Sequence, residues 1–195
     1  MKGQAARIHT RLRSVAGTAA AALMLAMATG FAAEKPVAPE HNPPGDIPDN
    51  QVFVTYRSSD GYELKAPEGW ARRTTPHQVQ FADKYDTIAV NIEDAATAPT
   101  LDVVKGQIVP KLQKEGRAVE IKGVSTVSRK SGTVIRILYN SNSEPNSVTS
   151  SQRRLENERF FYFHNGKLAT LDLSAPLGAD NADQWQLISD SFRWK

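Results

Sequence analysis

From residue 51 onward the chain alternates short apolar runs with turn residues, the pattern of a domain built mostly from strands. Val52–Tyr56 reads as a strand, Ser59-Asp60-Gly61 as a turn and Tyr62–Lys65 as the partner strand. Pro67-Glu68-Gly69-Trp70 is a further turn, with proline presetting φ and glycine free to take φ > 0. Val79–Phe81 and Thr87–Ile92 flank Asp83–Asp86 as a hairpin. Thr100 then caps a predicted helix whose Leu101, Val104, Ile108 and Leu112 form one stripe, with Gly116 beyond its end. Pro110 falls inside this helix and is expected to kink or shorten it. Strands resume at Ala118–Val127, Thr133–Tyr139 and, after a polar loop at Ser141–Ser150, Gln152–Phe163. Asn165-Gly166 is a type I′ turn signal leading into Lys167–Ser174. Asn181–Phe192 closes the pattern as a helix with Trp185, Ile188 and Phe192 on one side. Hairpin links and the absence of a βαβ alternation predict an α+β fold, a largely antiparallel β-sheet flanked by helices.

The first 50 residues obey other rules. Lys2, Arg7, Arg11 and Arg13 precede an apolar run, Val15–Thr29, which ends in Gly30-Phe31-Ala32-Ala33. A basic start, an apolar centre and a small-residue exit make residues 1–33 a predicted secretory signal peptide, cut near Ala32 or Ala33. The competing reading is an uncleaved anchor, for which about 15 apolar residues is short against the roughly 20 needed to span a bilayer. Both readings send the rest of the chain outward, to a periplasmic or secreted location. Residues 34–50 hold five of the eleven prolines and are expected to form an extended, exposed linker. Residues 51–195 make up the domain, long enough to hold a core without disulfides.

Composition changes this picture in two places. The chain has no cysteine, which excludes a disulfide scaffold, a thiolate metal site, a cysteine nucleophile and a lipidated-cysteine anchor. The whole sequence carries 24 basic and 21 acidic residues, but four of the basic ones belong to residues 1–33. Residues 34–195 therefore hold 20 against 21, a net charge of −1, with no basic stripe for a nucleic-acid partner.

Two stretches carry a family resemblance. They are Tyr62-Glu63-Leu64-Lys65-Ala66-Pro67-Glu68-Gly69-Trp70, and the run from Phe160 through Asn165-Gly166 to Ser174-Ala175-Pro176, finishing at Ser191-Phe192-Arg193-Trp194. In these motifs residues 51–195 resemble the PsbP-like proteins, together with bacterial envelope proteins of the DcrB type. The resemblance implies an α/β/α sandwich around an antiparallel sheet, used as a non-catalytic accessory or binding module. It also implies an envelope protein as partner, and some DcrB-fold proteins act as effector chaperones in the cytoplasm. No photosynthetic role and no family binding site transfer to residues of this chain.

Candidate chemistry is sparse. No H-E-x-x-H, G-x-S-x-G, phosphate-loop or dinucleotide-binding pattern is present, so no catalytic, cofactor-binding or metal-ligating residue is assigned. The alternative is a periplasmic hydrolase built on a serine or an acid pair with His77 or His164; it requires one of these histidines to meet a serine and an acid in a cleft. Glu156 and Glu158 share one face of a strand with Arg154, and Arg136 is placed to pair with them from a neighbouring strand. Trp70 and Trp185 are expected in the core, and Trp194 is open to either role. The candidate interaction surface consists of Arg153 and Arg154 beside the Ser141–Ser150 loop, with His164 and Trp194. Contact with a membrane is expected only through an uncleaved signal segment.

Overall fold

In the computed structural model, which describes residues 34–195, the strands fall into two antiparallel sheets. The smaller sheet joins β1 (Phe53–Arg57), β2 (Tyr62–Pro67) and β10 (Arg193–Trp194), with β2 in the centre. The larger sheet comprises β3 (Ala71–Thr75), β4 (Gln78–Asp83), β5 (Asp86–Asp94), β6 (Glu120–Arg129), β7 (Gly132–Asn142), β8 (Arg154–His164) and β9 (Lys167–Pro176). Its strand order is β3-β4-β5-β9-β8-β7-β6. The turn between β8 and β9 lies at Asn165-Gly166, and both residues have positive φ (45° and 79°), as a type I′ turn requires. The apolar pattern does not predict β3, because Ala-Arg-Arg-Thr-Thr offers no alternation; it is an edge strand with every residue exposed.

Alternation along β7, β8 and β9 divides the core between the two faces of the large sheet. Val134, Phe160, Tyr162, Leu171 and Leu173 point to one side, where they meet Tyr62 and Leu64 of the small sheet and Trp185, Ile188 and Phe192. The last three belong to α3 (Ala182–Ser191) and its C-cap. Ile135, Ile137, Tyr139, Phe161 and Leu168 point to the other side, under the helical segment 101–115. The fold is thus mostly β, with two antiparallel sheets and short helices. One outer layer of the expected sandwich is α3 together with a second sheet, and not helix alone.

The helical segment keeps the predicted stripe but handles its proline differently. Thr100 caps it, its Oγ1 accepting from the Val103 N–H at 3.2 Å. α1 (Leu101–Val103) passes into one wide π turn (Val104–Ile108) before α2 (Val109–Glu115), so Pro110 enters at the start of a fresh α segment. A proline lacks the N–H and crowds the preceding turn, and widening that turn relieves both problems.

Residues 34–50 depart most from expectation. They form no helix or strand and most of them are exposed, yet they are a strap bound to the domain and not a free tether. Ile47 is 3% exposed and belongs to the core. Its N–H donates to Asn181 Oδ1 at 2.7 Å, and Asn181 Nδ2 donates to the Gly45 carbonyl at 2.8 Å. At the other end Asn142 Nδ2 reaches Glu34 Oε1 and the Lys35 carbonyl, both at 2.8 Å, while Asn142 Oδ1 accepts from the Val37 N–H. The many prolines suit this role: they limit the unfolded chain and remove N–H groups that a strap outside any ladder would leave unpaired.

The strap also covers a buried acid. Asp86 is 5% exposed and its Oδ1 has no hydrogen-bond partner among the described residues. Gly45 (φ 114°) crosses directly above it, where a Cβ would lie 2.9 Å from both Asp86 Oδ1 and Pro176 Cδ. Burial, with Asp83 and Asp46 nearby and Lys84 opposing them, pushes the Asp86 carboxyl up to about 7. The folded chain therefore holds this proton more tightly than the unfolded chain, whose carboxyl titrates near 4. Its contribution to stability is complete below about pH 4 and is lost as pH rises through about 7. Thermal melts of Asp86→Asn and the parent at pH 4, 6 and 8 are expected to show the variant gaining on the parent as pH rises. A constant difference across that range would remove Asp86 as the cause.

Candidate functional site

The two arginines of the expected interaction edge, Arg153 and Arg154, do different work. Arg154, the first residue of β8, is 4% exposed. Its Nη1 donates to the Ala118 carbonyl at 2.8 Å and to Asn142 Oδ1 at 3.1 Å, and its Nη2 meets Glu120 at 3.1 Å. It is a structural tie and is not available as contact surface, which corrects its assignment to the interaction edge. The physical reason is register, since adjacent residues at a strand end face opposite sides. Arg153 stays partly exposed, with its guanidinium 3.8 Å from the centre of the Tyr85 ring and an ion pair to Glu40 of the strap.

The loop beside it, between β7 and β8, is self-organised. Asn146 Oδ1 accepts from the N–H groups of Val148 and Thr149 (2.9 and 3.0 Å), and the Asn146 N–H donates to the Ser151 carbonyl at 2.9 Å. Loop and sheet enclose a polar cleft of about 560 Å³ lined by Lys84, Tyr85, Thr87, Asn146, Arg153 and Leu155.

His164 and Trp194 sit at the far end of β8, roughly 30 Å away at strand rise. Their rings are near-parallel with centroids 6.3 Å apart. His164 is exposed, whereas Trp194 is partly buried against Tyr62 and Phe192, with its Nε1 enclosed and unpartnered among the described residues. The four residues of the candidate surface are therefore not one surface. Trp185 is buried and Trp70 packs partly against the same core.

The residues that a hydrolase would need remain apart. His77 and His164 are both exposed, and neither ring is hydrogen-bonded to a serine or carboxylate among the described residues. Glu158 pairs with Arg136 at 3.3 Å, the cross-strand pair expected, and burial raises the carboxyls of both Glu156 and Glu158. Neither glutamate lines the main clefts among the described residues. Among the described residues no three His, Cys, Asp or Glu side chains are grouped to hold a metal ion.

The feature that sequence reasoning missed lies where the two sheets open. β1 and β3 are edge strands, and between them a slot of about 510 Å³ reaches the core. Val54, Tyr56, Ala66, Trp70 and Phe81 supply its apolar walls, and the Tyr56 and Phe81 rings meet edge to face at 5.3 Å. Arg72 stands at the rim with its guanidinium 5.7 Å from the Tyr56 ring centre. The Pro67–Trp70 turn was legible, but without β3 nothing in the sequence placed it opposite β1. A larger cleft of about 680 Å³ beside α3 is lined by charges of both signs, Glu63, Lys65, Lys130, Asp183, Asp190 and Arg193, and Glu63 there pairs with Arg193 and, from outside the lining, with Arg57 and Lys195.

Comparison with known proteins places this geometry in a fold. No family model and no curated protein matches the chain. Among solved structures, cyanobacterial PsbP (CyanoP) from Synechocystis sp. PCC 6803 is similar at a TM-score of 0.52 and 18% identity. The match covers 79% of this chain and 100% of that one. The Ran-binding protein Mog1p of Saccharomyces cerevisiae is similar at 0.50 and 11% identity, over 74% of this chain and 96% of that one. The fold is PsbP- and Mog1-like.

Proposed function

We propose that this chain is an exported, non-catalytic accessory protein of the cell envelope, and that it acts by binding another protein through the open mouth of its two sheets. The observation that carries this reading is the slot between β1 and β3, walled by Val54, Tyr56, Ala66, Trp70 and Phe81 and bordered by Arg72 and Glu68. An apolar recess beside charged groups at a solvent-facing edge is the composition of a protein contact, with the apolar part supplying affinity and the rim supplying selectivity. The exposed histidines and the shared fold, which includes a Ran-binding protein, support binding over catalysis. Export rests on residues 1–33, which lie outside the described residues; among those described, no helix is long and apolar enough to cross a membrane.

Two measurements test it. Mass analysis of the periplasmic fraction is expected to find a chain beginning at Ala33 or Glu34, and recovery only of the full-length chain in the cytoplasm would overturn export. A photo-reactive residue in place of Arg72 is expected to give a discrete crosslinked adduct in cells. If neither this position nor a set spread over the described surface yields an adduct, the binding reading falls.

A further inference from the structure

The strap crosses the domain without joining a ladder. Near its inner end three hydrogen bonds hold it: the Ile47 N–H to Asn181 Oδ1 at 2.7 Å, Asn181 Nδ2 to the Gly45 carbonyl at 2.8 Å, and the Asp180 N–H to Asp46 Oδ1 at 2.9 Å. With them goes the Ile47 side chain, seated in the core.

Under this crossing lies an acid. Asp86 opens β5 and faces Asp83 of β4 across their hairpin, so the large sheet fixes its position. Its Oδ1 is enclosed and unpartnered among the described residues, and Gly45 passes so close that a Cβ there would lie 2.9 Å away. A neutral carboxyl tolerates such a place. A carboxylate stripped of water and of donors does not.

The surrounding charges decide which part yields. Asp83 comes from β4, Asp46 from the strap itself, and Lys84 from the hairpin turn as the opposing cation, while β9 contributes the uncharged Pro176. Arg153, stacked on the adjoining Tyr85, is paired with Glu40. An ionised Asp86 therefore repels one acid on β4 and one on the strap. β4 is tied to β5 along six residue pairs, whereas the crossing has three hydrogen bonds and one apolar side chain. The strap is the part free to move. Lifting it returns Asp86 to water, separates Asp86 from Asp46 and carries Ile47 out of the core.

We infer that the Gly45–Ile47 crossing is a proton-operated latch, which closes the strap while Asp86 holds its proton and loosens it when the proton leaves. Closing raises the proton affinity of Asp86, so by linkage a bound proton favours closing. Opening is therefore rarest in acid and grows as pH rises toward neutrality. None of the residues lining the slot between β1 and β3 takes part, so the latch stands apart from the binding reading.

Hydrogen exchange of the Ile47 amide in the ¹⁵N-labelled protein reads the latch. After correction for intrinsic rates, its protection is expected to fall roughly tenfold or more between pH 5 and pH 8. Urea below the unfolding transition is expected to leave this exchange unchanged, while Leu171, in the middle of the large sheet, exchanges by global unfolding and responds to urea. Asp86→Asn is expected to keep Ile47 protection constant to within about twofold over the same range. Gly45→Ala, strained at φ 114° and pressed against Asp86 and Pro176, is expected to open the crossing at every pH. In that variant the Asp86 carboxyl, followed by its ¹³C shift, is expected to titrate near 4, against about 7 in the parent. Constant Ile47 protection in the parent, the same fall in Asp86→Asn, Ile47 exchange that follows Leu171 in urea, or an Asp86 titration unchanged by Gly45→Ala would each overturn the inference.

Discussion

Replacing Phe192 by alanine is expected to lower the melting temperature by roughly 6–20 °C, from a loss of about 3–5 kcal/mol in a domain of this size. Phe192 is fully buried and sits where four elements meet. Its ring stacks on Tyr162 of β8 at 4.2 Å and on Tyr62 of β2 at 5.2 Å, and Trp194 of β10 meets it edge-on at 5.7 Å. It also ends α3, so one side chain joins the helix, both sheets and the C-terminal strand. Truncation leaves a cavity that rings on opposite sides cannot close without breaking their own contacts; the Tyr162 hydroxyl, for example, is held to the Ser189 carbonyl at 2.7 Å. Phe192→Leu retains most of the volume and is expected to cost less than half as much. Calorimetry of the two variants checks the order, and equal losses would place the stability elsewhere.

Arg154→Ala and Arg153→Ala are expected to differ sharply, although the residues are neighbours of the same type. Removing Arg154 leaves the part-buried Ala118 carbonyl without its donor and Asn142 Oδ1 with only the Val37 N–H, a loss of about 2–3 kcal/mol. Asn142 also anchors Glu34, Lys35 and Val37, so the start of the strap is expected to exchange its amide hydrogens faster in this variant. Arg153 gives up an ion pair to Glu40 and a stacking contact with Tyr85, both partly solvated, for about 1 kcal/mol or less. Urea unfolding and hydrogen exchange on both variants decide the matter; similar losses would return Arg154 to the surface.

This contrast marks the limit of what the chain's pattern discloses. Elements that bury an alternating or stripe-like apolar set were legible: β8 and β9 around Asn165-Gly166, the stripe from Leu101 to Leu112, and Trp185 with Ile188 on α3. Elements that bury little were not. β3 is polar because it is an edge, and the strap is proline-rich yet contributes a single core residue, Ile47. Which of two adjacent arginines turns inward depends on a one-residue register that composition does not encode. The slot needed β1 and β3 to be brought side by side across two sheets, a long-range fact carried by no local motif. The helix 101–115 was legible, but its solution to Pro110 was not, since a kink and a π turn answer the same steric problem.

The two strands flanking β2 arrive at very different times. β1 is close in sequence, whereas Arg193 pairs with Glu63 from 130 positions downstream. At translation rates of about 5–20 residues per second, β2 waits roughly 6–26 s for its second neighbour. Until then Phe192 is absent from the stack between Tyr62 and Tyr162, and Glu63 lacks two of its three cations. Closing so long a loop carries a chain-entropy cost that only the completed core offsets. The domain is thus kept from its native state through almost all of its synthesis.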